Sequence, residues 1–218
     1  MNAPSLPTLR TKDEVLEALA DAISISSSLE QKARSRYHAI GSWLDRESST
    51  IKNLGPRVSA QGSFALGTVI RPVGDNDAYD VDVVCLLERG DAKRFSQKEL
   101  KRRVGAEISG YVAAFGMKNP AVDARRCWTL EYEDEAAFHM DILPCVPVRH
   151  VERQDGSIGR PYASTEISIT DKKQRDYDQQ GAEWLISNPK GFVRWFRQRQ
   201  TIVLERRRQE RMLTGSVV

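Results

Sequence analysis

The sequence predicts an α+β protein, a small mixed sheet flanked by helices, with a long N-terminal helical spine ahead of the sheet. Three observations carry that prediction. Residues 80–87, Asp-Val-Asp-Val-Val-Cys-Leu-Leu, are apolar on one face and partly apolar on the other, as a strand would be. Residues 96–116 bring Leu100, Val104, Ile108, Tyr111, Val112 and Phe115 near the period of a helix. Residues 121–132 and 136–146 are two more strand-like runs around the acidic turn Glu133-Asp134-Glu135, which predicts an antiparallel hairpin.

The remaining elements follow in order. Residues 1–10, with Pro4 and Pro7, read as a flexible arm. Thr11 is suited to cap a helix carrying Val15, Leu16, Leu19 and Ala20. A second helical stretch spans about 27–44, with Tyr37, Ile40 and Leu44 on one stripe, and Gly55-Pro56 closes this spine region, 11–55. Residues 57–61 predict a short strand, punctuated by Gly62-Ser63. Residues 151–170 are turn-rich, with Asp155-Gly156, Gly159 and Pro161. A last helix starts near Asn188-Pro189, since proline suits a first helical turn, and runs toward Met212. The organisation expected is therefore an arm, a spine, a core over 56–187 and a C-terminal helix within 188–218.

Composition narrows the class. The 218 residues are 40% hydrophobic and 29% charged, which excludes wholesale disorder. No run approaches the roughly 18–20 apolar residues of a membrane helix, and the first residues lack a secretory pattern, so the expectation is a cytoplasmic protein without membrane contact. Cys85, Cys127 and Cys145 are scattered, which argues against a disulfide framework and a structural zinc and predicts three core thiols. The net charge of +3 hides an asymmetry, because residues 191–218 hold seven arginines against Glu205 and Glu210. A basic terminal helix on a mildly acidic body suits nucleic acid or nucleotide phosphate, or is a solvated face.

Asp80 and Asp82 lie two apart in a predicted strand, so they project from one face, their Cα atoms roughly 6.5 Å apart. Paired carboxylates repel unless cations lie between them, and two Mg²⁺ ions (or Mn²⁺) are the hard cations that such oxygens hold. Asp141 sits inside another apolar run, where a carboxylate is costly unless paired or metal-bound. Beside Asp80 and Asp82 it completes a three-carboxylate site. Gly62-Ser63, at a strand end before a short helical stretch, supplies backbone N–H groups and a hydroxyl suited to a triphosphate. A phosphate cradle next to a carboxylate cluster is what nucleotidyl transfer requires.

The run from Gln61 to Thr68, followed by Tyr79-Asp80-Val81-Asp82-Val83-Val84, resembles the signature of the DNA polymerase β-type nucleotidyltransferases. More narrowly it resembles the bacterial cGAS/DncV-like nucleotidyltransferases, which make cyclic oligonucleotide signals in antiphage defence. Residues 167–172, Trp184 and Ser187-Asn188-Pro189-Lys190-Gly191 resemble a segment that follows the catalytic strands there. The resemblance covers about residues 56–200 and implies a polymerase β-like fold. It implies Asp80, Asp82 and Asp141 as metal-binding catalytic acids, with Asp141 helping to deprotonate a ribose hydroxyl. Gly62 and Ser63 become the triphosphate turn, nucleoside triphosphates (ATP among them) the substrates, and a cyclic di- or trinucleotide the product. An effector that reads the product and a regulatory protein are the implied partners. Two departures stand out: a long loop over 71–79 before Asp80, and a final helix that reads as the start of a truncated helical lobe.

Neighbouring residues have two readings each. Asp75 and Asp77 suit turn chemistry; His139, on the Asp141 face, is a half-buried histidine or a partner of the acids. Arg71 touches a nucleotide or makes a loop salt bridge, and Lys172 and Lys173 reach a triphosphate or are solvated. Trp184, Trp195 and Phe196 are expected to pack between the last helix and the sheet, and Tyr162 and Tyr177 are weaker candidates for base stacking. Transfer of a nucleotide to RNA, an antibiotic or a protein, and a non-catalytic RNA-binding module, remain alternative functions for the same residues.

Overall fold

The computed structural model describes residues 11–71, 78–133, 138–148 and 162–213; the expected arm, Asp75, Asp77, His150 and the centre of the acidic turn lie outside them. Helix α1 (Lys12–Ile23) begins in a reciprocal capping box, Thr11 accepting from the Glu14 backbone N–H while Glu14 accepts from that of Thr11. Helix α2 (Ser27–Leu44) is capped by Ser26 and buries Ala33, Tyr37, Ile40 and Leu44. Strand β1 (Pro56–Ala60), the short helix α3 (Gly62–Leu66) and strand β2 (Tyr79–Leu87) follow. Helix α4 (Gln97–Ala114), capped by Ser96, leads to β3 (Val122–Asp123), β4 (Trp128–Tyr132) and β5 (Phe138–Pro147). Strands β6 (Ile167–Ile169) and β7 (Leu185–Ser187) precede helix α5 (Pro189–Leu213).

The seven strands form one mixed sheet in the order β1-β2-β5-β4-β3, with β6 on the far end of β5 and β7 beside β6. Only β2 and β5 run parallel; the other pairs are antiparallel. Strand alternation gives the sheet two different faces. Val81, Val83, Cys85, Leu87, Met140 and Ile142 point to one side and are wholly buried against α2 and α4, whose Ile40, Leu44, Leu100, Val104 and Ile108 are equally buried. Each such side chain contributes about 1.5–3 kcal/mol of hydrophobic stabilisation. The opposite face has a small apolar patch of Val84, Leu143, Cys145, Ile167 and Ile169. Its other end, toward the start of β2 and β5, carries the carboxylates.

Several expectations are corrected. The span 121–132 is not one strand, because residues 124–127 leave the sheet between β3 and β4. The turn-rich span ends in β6, and β7 was not foreseen; three-residue strands are too short to show a period. Trp184 is in the core, but Trp195 is 44% exposed and stacks on Phe192 along α5 rather than on the sheet. Cys85 and Cys145 are core thiols, whereas Cys127 lies beside the carboxylates. No helix among the described residues is long and apolar enough to cross a membrane.

Candidate active site

The parallel pairing of β2 with β5 sets Asp82 opposite Asp141 and Asp80 opposite His139. The antiparallel pairing of β4 with β5 sets Thr129 opposite Asp141 and Glu131 opposite His139. Residues paired across neighbouring strands share a face. Two rows therefore cross three strands: Asp82, Asp141 and Thr129, then Asp80, His139 and Glu131.

In the first row, the Thr129 hydroxyl donates to Asp141 Oδ1 at 2.5 Å. Asp82 and Asp141 are both half-buried. Burial raises the pKa of Asp82, and the neighbouring charges of Asp141 and then Asp80 raise it further. In the second row, Asp80 is 76% exposed and its Oδ1 lies 3.8 Å from His139 Nδ1. His139 is itself about half exposed, and Asn119 donates to Glu131 at 2.8 Å.

Gly62 and Ser63 begin α3 directly beside this face. The Gln61 N–H donates to the Asp82 carbonyl at 2.8 Å, which ties the turn to β2. Gly62 has φ +58°, and a Cβ there would stand 2.5 Å from Asp82 Oδ2. Glycine is thus required twice, for the left-handed backbone and for the close approach. The sequence suggested a glycine that lets phosphate approach; the structure shows that its nearest neighbour is the carboxylate. Ser63 is half-buried, and its carbonyl accepts from Thr68 N–H at 2.9 Å.

A buried polar network holds the loop that leads into β4. Asp171, wholly buried, receives Arg125 Nε and Nη2 at 2.7 Å each and Arg126 Nε at 2.9 Å. Burial alone would raise its pKa, but hydrogen bonds from Arg125, the Lys173 backbone and Arg126 outweigh it and hold the carboxyl well below its ordinary range. Lys101 on α4, only 1% exposed, ion-pairs with Asp123 at 2.5 Å and donates to the Ala124 carbonyl. Trp128 Nε1 donates to the Lys101 carbonyl at 2.9 Å. These bonds place Cys127 next to Asp141 and Asp82. Its thiol is pushed up to about 12, by burial first and then by those two carboxylates.

Other expectations divide. Arg71 bonds the Ile23 carbonyl through its backbone N–H and the Ser24 carbonyl through its Nε, fastening it to the end of α1. Lys172 is engaged by Asp123, at 2.6 Å to the carboxylate and 2.8 Å to the carbonyl. The Tyr162 hydroxyl bonds Gln198 on α5, and the Tyr177 carbonyl accepts from the Lys98 N–H. Thr129 and Cys127 were not foreseen. The predicted hairpin was the available signal for Thr129, but its register was not legible.

The donor set suits hard divalent cations: three aspartates at one end of one sheet face, with a carboxyl whose pKa is raised by burial and then by its acidic neighbours. Among the described residues, no three His, Cys, Asp or Glu side chains converge as a ready-made cage. Asp80 in particular extends into solvent.

Comparison with known proteins gives the same frame. Residues 56–145 match the model described as cyclic GMP-AMP synthase DncV-like, nucleotidyltransferase domain. The chain is 27% identical over 187 residues to a c-di-GMP synthase of Roseivirga ehrenbergii, covering 84% of this chain and 42% of that protein. It is 30% identical over 141 residues to the cyclic dinucleotide synthase CdnG of Bradyrhizobium diazoefficiens, covering 65% of this chain and 32% of that one. The structure of Bradyrhizobium diazoefficiens CdnG in complex with GTP superposes with a TM-score of 0.60 at 25% identity, over 84% of this chain and 45% of the other. The chain thus spans less than half the length of these relatives. The matched segment begins with β1 and ends within β5, so the part of the chain that resembles the DncV-like nucleotidyltransferase domain contains the turn and all three aspartates.

Proposed function

We propose that this chain carries the active site of a Mg²⁺-dependent nucleotidyltransferase that joins nucleoside triphosphates into a cyclic di- or trinucleotide. The observation that carries the reading is the register that aligns Asp82, Asp141 and Thr129 across three strands, with the Gly62 turn pressed against Asp82. Asp80, Asp82 and Asp141 would hold two Mg²⁺ ions, or Mn²⁺, whose chemistry would be to offset the charge of the triphosphate and of the departing pyrophosphate and to make the hydroxyl more acidic.

The chain's own residues do the rest. The Gly62–Ser63 turn offers backbone N–H groups and a hydroxyl to the triphosphate and fixes it beside Asp82. The ribose hydroxyl of the acceptor attacks the α-phosphorus, the bond to the bridging oxygen breaks, and pyrophosphate leaves. Asp141 takes the hydroxyl proton, its orientation held by the Thr129 hydroxyl. The relative solved with GTP supports a guanosine nucleotide among the substrates, with ATP the further candidate. A role in antiphage defence, a product-reading effector and a regulatory protein partner belong to the same proposal, as does a cytoplasmic location.

The experiment is incubation with the four ribonucleoside triphosphates and Mg²⁺ or Mn²⁺, with products read by mass spectrometry. The Asp80→Ala, Asp82→Ala variant runs alongside. A small cyclic product that the variant does not make is the expected result. Turnover retained in the variant overturns the site, and label transferred to added RNA or protein would replace the cyclic product with that acceptor.

A further inference from the structure

A cavity of about 330 Å³ is walled by α2, the end of β1, α3 and the first turns of α5. Arg34, Lys190, Arg194 and Arg197 supply its charge, Ser59 and Phe64 part of its floor, and none of its lining residues is acidic. Asp80, Asp82, Asp141 and Ser63 do not line it. Residues 190, 194 and 197 fall on one stripe of α5, where like charges three and four apart are mutually repulsive. Here the stripe, exposed along α5, borders the recess. Arg197 is fixed there, its Nη2 donating to the Ala65 carbonyl at 3.3 Å. From the opposite wall, Arg34 lies over the Phe64 ring, 5.4 Å from its centroid, steadied by Glu30 at 2.7 Å on α2.

We infer that this cavity is a second anion site, one that binds the phosphates of a small nucleotide separately from the Gly62–Ser63 turn. Four cations around a recess without a carboxylate match a group carrying several negative oxygens, and arginine forks match phosphate geometry. The volume is that of a small-ligand pocket. Two sources share this chemistry, a free nucleoside triphosphate and a cyclic dinucleotide.

The test measures equilibrium binding without divalent metal, by calorimetry, of inorganic tripolyphosphate, GTP and cyclic di-GMP to the whole chain. The variants are Lys190→Gln with Arg194→Gln, Arg34→Gln from the other wall, and Arg102→Gln, an exposed arginine on α4 outside the cavity, as control. Folding is checked by circular dichroism. We expect the wild-type chain to bind tripolyphosphate, with the affinity falling on the order of tenfold or more in the double variant and in Arg34→Gln. Arg102→Gln should bind as wild type does. GTP binding tighter than cyclic di-GMP assigns the site to a free nucleotide, and the reverse assigns it to a cyclic product. No binding by the wild type, full affinity in the folded double variant, or an equal loss in Arg102→Gln overturns the inference. Since no turnover is read, failure of the synthase reading leaves this result intact, and the converse also holds.

Discussion

Gly62 is in van der Waals contact with the Asp82 carboxylate across the gap between α3 and β2, so closely that a methyl group at position 62 would stand 2.5 Å from Asp82 Oδ2. The turn proposed to hold phosphate and the acid proposed to hold metal are therefore one mechanical unit. The backbone bond from Gln61 N–H to the Asp82 carbonyl closes it.

Gly62→Ala should damage activity more than stability. The left-handed backbone costs an alanine about 1–2 kcal/mol. The methyl group must also displace the Asp82 carboxylate, so we expect turnover to fall by at least about a hundredfold while the protein stays folded at 25 °C. Nucleotide turnover and thermal melting on the same preparation check this; near wild-type turnover would show that the turn and Asp82 are not coupled.

Thr129 orients Asp141 through its hydroxyl. Thr129→Val keeps the shape and removes the donor, and turnover should drop by about 10–100-fold, as when an outer-shell partner is lost. Thr129→Ser should restore most of it. Equal losses in both variants would mean that the methyl group, rather than the hydroxyl, matters.

Asp82 has a raised pKa, from burial and from Asp141 and Asp80. An acid raised in the fold favours folding less once it ionises. Its cost is absent below the ordinary value of 3.8 and grows as pH rises toward the folded pKa. Asp82→Asn should therefore melt above wild type at pH 7 without divalent cation. Added Mg²⁺ should lift the wild-type melting temperature and close the gap. A variant that melts below wild type would contradict the repulsion.

Asp171 titrates in the opposite sense. Its carboxyl is held below the ordinary 3.8, so its stabilisation is present above that value and is lost as pH falls from it toward the folded pKa. Asp171→Asn should cost about 1–3 kcal/mol at pH 7, the lower side for a buried pair because Arg125 and Arg126 are half exposed. The difference from wild type should narrow in denaturant melts below pH 4. A gap that stays constant with pH would remove Asp171 as the titrating group.

Most elements were legible because their signals are local. The stripes of α2 and α4, the alternation of β2 and the Thr11 cap each depend on residues within a turn or two, and the structure has them within a few residues of expectation. Composition and periodicity could not reach Trp195, which shows a helical pattern but stacks on Phe192 of its own helix and stays 44% exposed. Nor could they reach β6 and β7, where three residues carry no period.

By itself the sequence determined the α+β class, the shared face of Asp80 and Asp82, and the glycine turn that resembles a nucleotidyltransferase signature. Those follow from spacing along one chain segment. Tertiary structure alone decided that β5 runs parallel to β2 in the register that sets Asp141 against Asp82, and that Thr129 stands on its other side. It also turned Cys127 from an expected core thiol into a neighbour of the acids, and gathered Arg34 with a stripe of α5 more than 150 residues away. The physical reason is that strand register and helix docking are set by how distant apolar faces bury one another. A shift of one residue in that packing would turn Asp141 to the other face of the sheet.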